Sequence, residues 1–166
     1  MTTWPPIVEL VPHRPPMLLL DRVLAYDGEC VTCETVLRPD SPFADQGRVP
    51  AVVGIEYMAQ TIAAGAGLRG REKGGGARTG FLLGCRSLTI AVDSFQVGDR
   101  LTIEARCTET RGNRITCACT ATDGDGREVG TGSTVQVVLP RDVLDRALDP
   151  ASRRRDVTPD QKGGGS

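Results

Sequence analysis

The sequence predicts an α+β fold in which a strongly curved antiparallel sheet wraps one long central helix. Two observations lead there. Residues 49–68, VPAVVGIEYMAQTIAAGAGL, form an almost unbroken apolar run, and a helix that is apolar on every side must be surrounded, because a surface helix shows a polar face. After it come four stretches of alternating or short apolar runs separated by tight turns, the signature of strands. Two further strands precede the helix, and a sheet curved around a single helix buries all of them economically.

Taken in order, PPIVELV (5–11) supports at most a short helical turn, with prolines suited to a helix start. MLLLDRVLAY (17–26) reads as a strand, Asp27-Gly28 as its turn, and ECVTCETVL (29–37) as the returning strand of a hairpin. Residues 38–49 read as a loop, and Pro50 suits the first helical position. The helix is expected to end in the Gly65–Gly70 region, with GLRGREKGGGARTG as a glycine-rich surface turn. Ala59, Ala63, Ala64, Gly65, Ala66 and Gly67 keep it thin, so the sheet can approach closely. Strands follow over 80–92, 99–110, 114–123 and 128–139, joined by FQVGD, RGN and GDG. An exposed edge strand is expected to pair across a dimer interface. The domain is read as 1–140, with 141–166 a polar, partly disordered tail.

At 166 residues and 39% hydrophobic, the chain has length for one core. Lys and Arg total 20 against 21 Asp and Glu; apart from Arg153–Arg155, no basic stretch tracks a phosphate backbone, so nucleic acid is an unfavoured partner. The start MTTWPPIVEL lacks a secretion signal, and no apolar run is read as reaching the roughly 18 residues of a membrane span. A cytoplasmic protein is the expectation. Of the six cysteines, Cys30 and Cys33 have C-x-x-C spacing but lie on a strand, where residues three apart face opposite sides. Cys117 and Cys119 share a face without the further ligands of a zinc site. Reduced thiols packed as small apolar groups, and no metal, are expected.

Three segments carry a family resemblance. VPHRPPMLLLDRVLAYDG (11–28) resembles the opening of bacterial 3-hydroxyacyl-acyl-carrier-protein dehydratases of the hotdog fold; GIEYMAQTIA (54–63) resembles their central helix; GFLLGCRSLTIAVDSFQVGDRLTIEA (80–105) resembles the strand, turn and strand that follow. The likeness runs from about residue 5 to about residue 139 and is closer still to the divergent dehydratases of aryl polyene and related polyketide-type gene clusters. It implies removal of water from a 3-hydroxyacyl thioester carried on the phosphopantetheine of an acyl carrier protein, with no other cofactor.

That reaction needs a base for the C2 proton, an acid for the departing hydroxyl, and donors for the thioester carbonyl. The family shares this work between a histidine of one subunit and a helix carboxyl of its neighbour, and Glu56 matches the carboxyl position. Burial in an apolar helix is expected to raise its pKa and suit it to proton donation. The alternative is a structural carboxylate with partners in the core. The first helical turn, Ala51 to Gly54, offers N–H groups and a positive dipole end for the carbonyl, and Gln60, one turn beyond Glu56, shares its face. Tyr57 and Met58 read as packing.

The family's loop histidine is missing: SPFADQGRVPAV (41–52) has none, and Pro50-Ala51 replaces the usual Pro-Gly. His13 is the chain's one histidine. It is either a structural ring bonding a backbone carbonyl or a relocated base facing Glu56 of a neighbouring subunit. Asp45 sits in the loop but reads as a turn residue. Arg69, Arg71, Lys73 and Arg78 are either a docking patch for an acidic carrier protein or a solvated turn. Three functions stay open: a dehydratase, as a homodimer or with a paralogous hotdog subunit that supplies the base; a non-catalytic acyl-binding partner; or an acyl thioesterase.

Overall fold

A computed structural model describes residues 3–75, 80–112 and 114–138. The 141–166 tail, including Arg153–Arg155, and Arg78 lie outside the described residues. In chain order the elements are α1 (Ile7–Leu10), β1 (Arg22–Tyr26), β2 (Cys30–Val36), β3 (Arg48–Pro50), a 3-10 turn (Ala51–Val53), α2 (Gly54–Glu72), β4 (Gly80–Ile90), β5 (Ser94–Gln96), β6 (Arg100–Arg111), β7 (Arg114–Thr122) and β8 (Glu128–Val138).

Six strands form one antiparallel sheet in the order β1-β2-β6-β7-β8-β4. The β1–β2 turn is fastened by Asp27, whose carboxylate accepts from the Glu29 and Cys30 amides at 2.9 and 2.7 Å, with Gly28 at φ 96°. Val31, Cys33, Ile103, Ala105, Cys117, Cys119 and Ala121 line the buried interior with α2. Small helix residues make that contact close. A methyl group on Gly65 would stand 2.9 Å from Val31 Cγ1, and one on Gly67 would stand 2.2 Å from the Leu10 carbonyl oxygen.

Gly67 also explains why the helix outlasts its expected end. Seated against the backbone of α1, it stays inside the helix, which runs through Gly70 to Glu72 before Lys73 caps it. Tertiary contact here overrides the helix-breaking tendency of glycine. The other end differs too. Pro50 ends a strand, a 3-10 turn intervenes, and α2 begins at Gly54. The 38–49 loop closes in β3, which pairs with β5 in a small second sheet absent from the sequence reading. Strand β1 begins at Arg22 and not at Met17, because residues 17–19 are taken up by Gln60.

By length and composition alone, Ala51–Glu72 does reach membrane-spanning dimensions, contrary to the sequence estimate. Two thirds of its apolar window is buried in the protein, so it is the core helix. All six cysteines are thiols, and no cluster of metal-ligating side chains occurs among the described residues. Strand β4, at the sheet edge, leaves Phe81, Leu82, Leu83 and Ile90 exposed.

Candidate active site

The site forms where the proline-rich segment after α1 crosses the first turns of α2. Arg14 sets this corner: its guanidinium donates to the carbonyls of Val11 and His13 at 3.0 and 2.7 Å, while its own carbonyl accepts from the Met17 and Leu18 amides. Gln60 ties the segment to the helix. Fully buried, it accepts from the Leu19 amide (3.0 Å) and donates to the Met17 carbonyl (2.7 Å) and to Glu56 Oε1 (2.9 Å). Every polar position of the amide used here serves positioning, and Glu56 is held one turn back on the same face.

This bracing brings His13 Nε2 to 3.6 Å from Glu56 Oε1, with the side chains 29% and 28% exposed. The two residues named from sequence as chemical candidates are therefore neighbours, but within one chain. The sequence reading has His13 facing Glu56 of a neighbouring subunit; here it stands beside Glu56 of its own chain. His13 Nδ1 is buried with no hydrogen-bond partner among the described residues, so the ring bonds no backbone carbonyl through that atom. Glu56 is not enclosed in apolar surroundings, because the helix presents it, partly exposed, beside Gln60 and His13. Placement in the first turn of α2 gives its carboxylate the favourable end of the helix dipole.

The amides of Ala51 and Gly54 are not free donors. That of Ala51 donates to the Asp93 carbonyl at 3.0 Å, and that of Gly54 closes the 3-10 turn onto Ala51 and Val52. The strand β3 and the 3-10 turn consume them. Gly54 does leave open space where a side chain would stand. Asp45 makes a backbone bridge with Arg48, the turn role read for it. In the basic group, Arg69 donates to the Gly28 carbonyl and Arg71 pairs with Glu9, so both are engaged within the fold. Of the apolar residues on these two segments, Val52 is 57% exposed, Met17 is exposed and Ile55 is half-buried. A cavity of about 650 Å³ lies between 15–21 and 35–41 and is lined by Leu18, Leu19, Thr35 and Tyr57, not by His13 or Glu56. Sequence reasoning missed Arg14, whose place between histidine and two prolines was the available signal.

Residues 5–148 match the family model of the ApeP-like proteins, described as ApeP dehydratase. The chain belongs to this dehydratase family. Two curated relatives agree. The 3-hydroxyacyl-[acyl-carrier-protein] dehydratase FabZ of Agrobacterium fabrum is 33% identical over 125 residues, covering 69% of this chain and 76% of the relative. FabZ of Staphylococcus carnosus is 33% identical over 112 residues, covering 64% and 74%. Among solved structures, a chain of the dehydratase heterocomplex ApeI:P from Xenorhabdus doucetiae matches with a TM-score of 0.83 at 26% identity, over 89% of this chain and 99% of that one. The ApeP-like dehydratase family and the sheet around one helix together establish the hotdog fold expected from sequence. A hypothetical thioesterase from Streptococcus pneumoniae matches at TM-score 0.54 and 17% identity, covering 71% of this chain and 84% of that one, a likeness of fold alone.

Proposed function

We propose that this ApeP-like chain is a dehydratase subunit that converts a carrier-bound 3-hydroxyacyl thioester to its trans-2-enoyl product, with His13 as base and Glu56 as acid. The observation that carries this reading is the 3.6 Å approach of His13 Nε2 to Glu56 Oε1, with both side chains partly open to solvent. His13 Nε2 takes the C2 proton, the C2–H electron pair becomes the C2=C3 bond, and the C3 hydroxyl leaves as water with the proton of Glu56. The same short separation lets the histidine return its proton to the carboxylate after release, closing the cycle. Gln60 is a positioning residue, and the open space at Gly54 admits the thioester. The phosphopantetheine arm of an acyl carrier protein delivers the substrate, and no added cofactor takes part.

A second hotdog chain completes the site. The amides of Ala51 and Gly54 are spent, so donors for the thioester carbonyl come from other groups, and the apolar edge of β4 offers a face for a paralogous subunit. The similar chain of the ApeI:P heterocomplex supports this pairing. The experiment supplies a 3-hydroxyacyl carrier protein to the chain alone and to the chain with a paralogous hotdog protein, and follows enoyl product. Glu56→Gln and His13→Ala are expected to lower kcat about 10²- to 10⁴-fold, the usual share of general acid–base catalysis. Wild-type turnover in both variants, or release of free carrier thiol without enoyl product, overturns the assignment.

A further inference from the structure

At the far end of α2 lies a pair of thiols that the dehydration chemistry does not use. Cys107 of β6 stands directly across from Cys117 of β7. The Cys107 amide donates to the Glu29 carbonyl at 2.8 Å, toward β2. A residue in an antiparallel strand sends its N–H and C=O to the same neighbour, so toward β7 Cys107 belongs to a non-hydrogen-bonded pair. Such pairs hold their Cα atoms about 4.5 Å apart, inside the roughly 4.4–6.8 Å range that a disulfide spans. The ladder shifts register just past Cys107, with a bulge at Thr108 that locally interrupts the backbone pairing.

The two thiols differ in access. Cys107 is half-buried and opens on a groove lined by Gly28, Glu29, Arg69 and Thr108–Thr110, whereas Cys117 is buried beneath it and both line one small cavity with Arg69. No other cysteine is so placed: Cys119 is two residues along the same strand, opposite Ala105, Cys85 of β4 stands opposite Thr134, and Cys30 and Cys33 face opposite sides of β2.

We propose that Cys107 and Cys117 form a reversible cross-strand dithiol–disulfide couple, oxidised by a low-molecular-weight disulfide of the glutathione type. The Cys107 sulfur attacks one sulfur of the oxidant and expels the first thiol. The Cys117 sulfur then attacks Cys107 Sγ, breaking the mixed disulfide. The second thiol leaves with the Cys117 proton. One small disulfide is reduced to two thiols as one protein disulfide forms. Burial pushes the Cys117 thiol up to about 12, consistent with Cys107 attacking first. Arg69 lies thirteen helical steps beyond Glu56, roughly 20 Å at about 1.5 Å each, so the couple is a modification site apart from the His13–Glu56 pair.

The test incubates the full-length folded chain with glutathione disulfide, quenches by alkylation, and maps peptides after cleavage at Arg111 and Arg114, which separates the two cysteines. The expected result is loss of two alkylatable thiols, a Cys107–Cys117 link located by fragmentation, and recovery of both thiols with dithiothreitol. Cys117→Ser should trap glutathione on Cys107, and Cys107→Ser should leave Cys117 unmodified. A stable glutathione adduct on wild-type Cys107 with Cys117 still alkylatable, a link to Cys119 or to another chain, or no reaction at either thiol overturns the proposal.

Discussion

Replacing Gln60 by Leu tests the bracing of the site. Leucine nearly conserves the side-chain volume, so the cavity contribution is small, and the loss falls on hydrogen bonds. The Leu19 amide, at a buried position, loses its acceptor; an unsatisfied buried donor costs about 1–3 kcal/mol. The Met17 carbonyl, at a part-buried position, loses a donor worth about 0.5–1.5 kcal/mol. Together roughly 2–4 kcal/mol of stability should go, short of unfolding a domain whose total is about 5–15 kcal/mol. With a mid-range urea slope of about 2 kcal/mol per molar, the midpoint falls by about 1–2 M, readable by circular dichroism. Because Glu56 loses its 2.9 Å restraint, kcat should also fall, roughly ten- to a hundredfold, with KM little changed. Glu56→Gln is the control: an amide oxygen still accepts from Gln60, so stability should hold within about 0.5 kcal/mol while turnover is lost. If Gln60→Leu unfolds at the parent midpoint, or Glu56→Gln destabilises equally, the clamp does not exist as described.

Gly67→Ala sets a methyl against the Leu10 backbone, which has no rotamer to yield, and should destabilise by about 1–3 kcal/mol despite the better helix former, whereas Gly54→Ala meets nothing within 4 Å and should be close to neutral; thermal unfolding of the two variants checks the contrast. Leu83→Arg, at the most exposed apolar site of β4, 58% exposed, should leave the fold intact and abolish co-elution with a paralogous hotdog chain on size-exclusion chromatography. For Glu34, burial pushes the carboxyl up, but hydrogen bonds and charge from Arg100 and Arg22 more than reverse this and leave it below its usual 4.5. A depressed folded value stabilises above the unfolded one and is lost as pH falls through the folded one, so Glu34→Gln should flatten the loss of melting temperature below about pH 5.

The hairpin and strands β4, β6, β7 and β8 were legible because their cues are local: period-two side chains and turns built on glycine. Strands β3 and β5 were not, since three residues each carry no period and exist only through pairing with a partner some forty-five positions away. The candidate site was half legible. Glu56 stood out as an acid in an apolar run and Gln60 followed from helical spacing, but nothing local in VPHRPP says which chain His13 will face.

By itself the sequence determined the fold class, through an apolar helix that can only be enclosed, and the family, through three ordered motifs. The tertiary structure decided the rest. It brought His13 to Glu56 of its own chain, spent the amides of Ala51 and Gly54, and carried the helix past its glycines. Each of these depends on backbone and side-chain groups far apart in the chain satisfying one another's hydrogen bonds or steric limits, and no local pattern encodes such a meeting.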